Sequence, residues 1–297
     1  MGPVTYNLGE RAYELPGTAE PVELAATVHY PKNLNGTPHP LLVALHGWHE
    51  TCADAAAETA RTAAEQARDW DAYAQASQRS FSRPCLPGVK PIATDRGYDH
   101  LGEQCAAQGF VVVSIRANGM NASAGSGDEN ASARADLINR HLALWQCLTS
   151  TGQLAGHFQN IGTGRSVDVD FAHHVDMREA GTLRHSRADA GVTWQAADSH
   201  RRAWPAGVRS KALFALAPAY NVLTENISVR RRSPSHRMRP PWGRPTPTSS
   251  VCMAPTTTTS TPSGPRRADK WRPTTASATP STSRGSTPTP TRRPWTS

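Results

Sequence analysis

Three short runs constrain the fold of this chain most: Leu41-Leu42-Val43-Ala44-Leu45, Phe110-Val111-Val112-Val113-Ser114-Ile115 and Ala212-Leu213-Phe214-Ala215-Leu216. Each is apolar almost throughout, as expected of strands covered by helices on both faces. A fourth run puts Val22, Leu24, Ala26, Val28 and Tyr30 on one face. Its period of two predicts an antiparallel or edge strand with one wetter side.

Helical patterns lie between these runs. Tyr98, Leu101 and Cys105 recur at three-to-four spacing before Gly109, and Leu137, Ile138, Leu142, Trp145 and Leu148 form a longer stripe. Residues 53–79 are Ala-rich and charged, with few large apolar side chains besides Trp70 and Tyr73. They predict an exposed helical insertion over about 53–85. Strands alternating with helices predict a three-layer α/β domain with a mostly parallel sheet over residues 1–228. The stretch from Gly119 to Asn130 reads as a surface loop just past a strand end, where open α/β sheets place their sites.

The chain changes character near residue 228. Residues 1–228 hold 19 Lys and Arg against 23 Asp and Glu, whereas 229–297 hold 13 against 1 and contain no Leu, Ile, Phe or Tyr. Such a segment buries too little apolar surface to offset its ordering entropy and reads as a disordered basic tail. The abruptness of the switch is what a GC-rich coding region gives when translated out of frame, which would leave the sheet truncated. The clusters Arg230-Arg231-Arg232, Arg266-Arg267 and Arg292-Arg293, with Trp242, Trp271 and Trp295, could meet phosphates and bases. An appendage without a partner is the competing reading, and no specific nucleic acid is expected.

No run of about 18 apolar residues is present, so no membrane-spanning helix is expected. Met1-Gly2-Pro3-Val4-Thr5 lacks a charged region followed by an apolar one, so the chain as written reads as cytoplasmic. The five cysteines match no zinc spacing, and Cys105 and Cys147 read as small buried hydrophobes. Cys52 and Cys85 bracket the insertion and could be bridged, which would suit an exported protein. His173, His174 and Asp176 are dense enough to raise a metal site, but adjacent histidines on a strand face opposite ways. They read as loop residues.

Two segments carry chemistry. His46-Gly47-Trp48-His49-Glu50 follows the first apolar run, and Leu183-Arg184-His185-Ser186-Arg187-Ala188 joins a strand-like to a helix-like stretch. Together they resemble the α/β-hydrolase superfamily of esterases and lipases. The likeness is closest to actinobacterial-type secreted hydrolases with His-Gly-x-His-Glu-Thr-Cys-Ala-Asp, matched here by His46 to Asp54. The resemblance covers roughly residues 22–228. It implies an α/β-hydrolase-type sheet, a nucleophile elbow with Ser186 as nucleophile, and an oxyanion hole from the amides of Trp48 and Arg187. His46, Gly47 and His49 would line the pocket, although His49 and Glu50 could instead cap the following helix, a role better suited to the stretch from Thr51 to Asp54. The substrate would be a small-molecule, lipid or polyester ester; no cofactor and no metal are implied, and secretion is.

The chain departs from that pattern twice. Arg184 stands where the elbow has glycine, and a bulky cation there would overpack by about 1–3 kcal/mol unless it swings out; Ala188, also in place of glycine, is small enough to be accepted. The base and acid should follow the serine. Of the two later histidines, His200 falls in the helix expected after the elbow and faces away, leaving His236 as base with Glu225 as acid. The alternative is a catalytically inactive remnant of the same fold without its triad partners.

Overall fold

The computed structural model of the chain describes residues 2–14, 21–123, 127–152, 154, 158–218 and 228–229, the side chains of 127–129 apart. Glu225, His236 and the rest of the basic tail, with its Arg clusters and tryptophans, lie outside the described residues.

Its strands are β1 (Val4–Asn7), β2 (Tyr13–Glu14), β3 (Pro21–Val22), β4 (Ala25–His29), β5 (His39–Leu45), β6 (Val111–Ile115), β7 (Phe158–Asn160), β8 (Ser166–Val167), β9 (Val175–Ser186) and β10 (Ser210–Pro218). Eight of them form a mixed sheet in the order β10-β9-β5-β6-β4-β1-β7-β8, while β2 and β3 pair separately. The strands β6, β5, β9 and β10 run parallel, and β4 is antiparallel to both β1 and β6. The helices are α1 (Ala55–Ala67), α2 (Trp70–Ser80), α3 (Asp99–Ala107), α4 (Asn118–Ala122), α5 (Gly127–Thr151) and α6 (Ala188–Ala196).

Side-chain alternation along the central strands separates two covered faces. Ala26, Val28, Val43, Val113 and Ile115 join one apolar cluster with Leu137, Ile138 and Trp145 of α5. Thr27 and His29 turn the other way: the Thr27 hydroxyl donates to Asp95, and the His29 ring meets Asp99 and the α3 backbone at Gly102. Helices therefore cover both faces, the architecture of an α/β domain.

Several expectations about the elements are corrected. The run from Val22 to Tyr30 is split between β3 and β4, and β4 is buried at every position, because α3 and Asp95 cover the face that its polar residues had marked as wet. The 212–216 run forms β10 at the sheet edge, mostly exposed and with Phe214 56% accessible, since among the described residues it pairs with β9 alone. Residues 53–80 are two helices. Arg68 adopts a left-handed conformation and Asp69 caps α2 by accepting from the Ala72 amide, which breaks the helix there. Cys105 and Cys147 are only half-buried.

The supposed loop at 119–130 contains α4 and the start of α5. The buried Glu23 carboxylate accepts from the amides of Asn118 and Gly119 and so caps α4, and a side chain at Gly119 would strike that carboxylate. Glu23 also pairs with Arg83 at the end of the α1–α2 hairpin. A Cys52–Cys85 disulfide closes the hairpin segment, and a closed loop of such length stabilises by about 3–4 kcal/mol through the unfolded chain's lost entropy. Among the described residues, no helix is long and apolar enough to cross a membrane.

Two buried imidazoles tie stability to pH. His141 accepts from the Tyr6 hydroxyl, which in turn accepts from the Trp145 indole, and burial pushes the His141 pKa down to about 3. His46 is likewise lowered to about 3, first by burial and then by His49. Between that value and the ordinary histidine range the unfolded chain binds protons that the folded chain does not, so stability falls as pH drops through this window. Each histidine should contribute a slope of up to about 1.4 kcal/mol per pH unit. Urea melts between pH 6.5 and 4 should show this acid loss, and His141→Gln should remove roughly one proton's worth of slope; an unchanged slope would contradict the assignment.

Candidate functional site

The chain leaves β5 for β6 on one side and later adds β9 on the other, so the order in which parallel strands are laid down switches sides between β5 and β9. A crevice at such a switch point lies outside the carboxyl ends of the two strands. Their register pairs Leu45 with Arg184, which brings the next residues, His46 and Gly47, beside His185 and Ser186. Contact there is close enough that a Cβ on Gly47 would sit 2.8 Å from the Ser186 Cβ and 3.1 Å from the His185 carbonyl oxygen. Only glycine is tolerated at that point.

Ser186 ends β9 with φ +53°, a left-handed backbone that a non-glycine residue holds at a cost of about 1–3 kcal/mol. The chain turns directly into α6, and the serine is half-buried. Neither the Trp48 nor the Arg187 amide donates to another group among the described residues. The corner thus presents a hydroxyl, two unengaged N–H groups and the positive end of α6.

Arg184 does not overpack the corner. Its side chain runs along α6, forming an ion pair with Asp189 and donating to the Asp189 carbonyl and the Thr193 hydroxyl. Burial lowers its pKa while Asp189 opposes the shift, and the guanidinium stays charged. Arg187 reaches instead to Trp48, its guanidinium 4.6 Å from the indole centre.

Trp48 connects the corner to the hairpin. Its indole stacks on Phe81 at 4.3 Å and 10°. It also walls a cavity of about 860 Å³ between the 48–50 loop and the hairpin, lined among others by Tyr73, Phe81 and Ile92, with Glu50 and Arg61 forming an ion pair in its wall. The lining is largely apolar, and its one ion pair is internally neutralised. His49 lines this cavity.

His46 and Gly47 are not among the residues lining that cavity, and Gly47 lies instead against Ser186. His46 is buried and works structurally: its Nε2 accepts from the Ala117 amide, which leaves the proton on Nδ1 to donate to the Gly47 carbonyl and to Nε2 of His49. Asp54 is the residue that caps α1.

Sequence reasoning missed Asn121 and Arg134. Asn121 Nδ2 donates to the carbonyls of Gly47 and His49, and its Oδ1 accepts from Arg134 at 2.8 Å. The polar, small-residue string Asn118-Gly119-Met120-Asn121 after β6 was the available signal, but it looked like a loop.

The remaining sequence candidates do not converge. His200 lies in a 3-10 turn, Asp198–Ala203, rather than in α6, and meets the Trp194 ring edge to face at 4.4 Å. His173 and His174 sit in a turn, as expected, while Asp176 belongs to β9, and no group of three acidic, cysteine or histidine residues among the described ones could hold a metal ion. The side-chain bonds of the corner belong to Arg184, and no described histidine is hydrogen-bonded to Ser186 Oγ. No family model matches this chain, and no curated protein does so either.

Removing Asp189 strands the Arg184 charge, so Asp189→Ala should lower stability by about 1–3 kcal/mol, whereas Arg184→Ala with Asp189→Ala should recover part of that loss. Additive losses in the double-mutant cycle would show the pair to be uncoupled.

Proposed function

We propose that the chain is a serine hydrolase of the α/β-hydrolase type acting on neutral carboxylic esters. The observation that carries this reading is the left-handed Ser186 at the end of β9, pressed against Gly47 at the switch point of the sheet. A strained strand-to-helix serine beside a His-Gly loop is the arrangement an acyl-transfer nucleophile needs.

In the proposed reaction the Ser186 Oγ adds to the ester carbonyl and its proton passes to a base. The negative charge that gathers on the carbonyl oxygen is met by the amides of Trp48 and Arg187, donors of a kind worth about 3–4 kcal/mol of barrier each. Collapse expels the alcohol, which takes the proton, and water then releases the acid from the acyl-serine. The apolar arm of the ester occupies the cavity beyond Trp48, whose internally neutralised ion pair favours an uncharged group. The base is assigned from chain order to His236, oriented by Glu225.

A second reading has its own support. No described histidine reaches Ser186, which is what an inactive remnant of the same fold would have. Hydrolysis of 4-nitrophenyl acetate separates the two: turnover should be abolished by Ser186→Ala and reduced at least about 100-fold by His236→Ala. Equal rates for the wild type and Ser186→Ala would remove Ser186 as nucleophile, and no turnover by any form would favour the remnant.

A further inference from the structure

We infer that Asn121, held by Arg134, is a positioning residue that fixes the Gly47–Trp48 peptide so that its N–H faces the Ser186 corner; the inference rests on the esterase reading above. A peptide unit is planar and trans, so its carbonyl and its N–H point in opposite directions. Whatever grips the Gly47 oxygen therefore aims the Trp48 N–H. Two donors grip it: Asn121 Nδ2 at 3.2 Å and His46 Nδ1 at 2.8 Å. Asn121 also donates to the His49 oxygen at 3.3 Å, so the carbonyls of the two residues flanking Trp48 are tied to one amide group.

The orientation of that amide is itself fixed. Arg134 Nη2 donates to Asn121 Oδ1, which forces the NH2 end of Asn121 toward the loop. Arg134 is 1% exposed and makes its other side-chain hydrogen bond to Asn130 Oδ1, and its Nη1 has no partner. No described carboxylate neutralises it. A buried cation without a counter-ion is costly to the fold, and a hydrocarbon side chain of similar volume would fill the space more cheaply. In return Arg134 holds Asn121 and sets a positive charge behind the Gly47–Trp48 peptide. Burial and the nearby Arg187 lower its pKa only to about 10, so the charge is present at neutral pH.

Arg134 also holds the other half of the site. A Cβ on Gly191 would lie 2.3 Å from the Arg134 Cβ, so α6, which begins at the serine corner, packs directly on this residue of α5. One side chain thereby connects the loop that supplies the first amide and the helix that follows the second.

The test uses Asn121→Ala and Asn121→Asp in the full chain. The aspartate keeps an acceptor for Arg134, but its ionised carboxylate cannot donate to the Gly47 oxygen, and an unchanged far-UV circular dichroism spectrum checks that each variant is folded. Both should lower kcat for 4-nitrophenyl acetate about 100-fold, as loss of one ordered oxyanion donor does, with KM changed less than about threefold. A raised KM with unchanged kcat would make Asn121 only a cavity wall and overturn the inference, as would unchanged kinetics. A second readout does not need turnover: the backbone amide resonance of Trp48 should shift in Asn121→Asp. If Ser186→Ala matches the wild type, the esterase reading fails separately, and an unmoved Trp48 resonance would still overturn the positioning role while a shifted one would uphold it.

Discussion

The close approach of Gly47 to Ser186 governs the rest of the structure. It arises because β5 and β9 run parallel with Leu45 opposite Arg184, so the chain leaves both strands at the same level and both turns crowd into one crevice. A glycine without a side chain lets the first turn come in, and a left-handed serine lets the second turn out. The left-handed serine is costly by itself, and the glycine keeps the approach free of a clash. Both persist because the parallel core beneath them, buried on both faces, does not allow the strand ends to move apart.

Around that corner the polar groups form a supporting frame. Glu23 caps α4 and anchors Arg83, α4 presents Asn121, Asn121 ties the loop after β5, and Arg134 ties Asn121 to the floor of α6. His46 completes the frame as a neutral imidazole. The α1–α2 hairpin adds a wall outside it, held at its base by the Cys52–Cys85 disulfide and by Phe81 stacked on Trp48. Stability and site geometry therefore share residues, so damage to the frame would be felt in both.

Elements whose signal was local were legible in the sequence. The continuous apolar runs at 41–45 and 110–115 gave the central parallel pair, and the stripe through Leu137, Leu142 and Trp145 gave α5, because burial on a face is written directly in residue type. The His-Gly loop and the strand-to-helix turn at Ser186 were also legible, since the first needs a residue without a side chain and the second joins a strand pattern directly to a helix pattern. Long-range effects were not. Phe214 looked like a core residue because nothing local reveals that β10 lies at an edge, and Arg184 looked overpacked because its way out depends on Asp189 and Thr193 of the next helix. The α4 segment looked like a loop because its capping group, Glu23, is some 95 residues away in sequence.

An acyl-transfer role for the corner between β9 and α6 requires a reactive Ser186 hydroxyl. The most direct measurement is intact-mass analysis after exposure to a fluorophosphonate, followed by peptide mapping of the adduct. Addition of a single phosphonyl group, found on the peptide containing Ser186 and absent from Ser186→Ala, is the expected result. An adduct on any other residue, or the same labelling of Ser186→Ala, would contradict it.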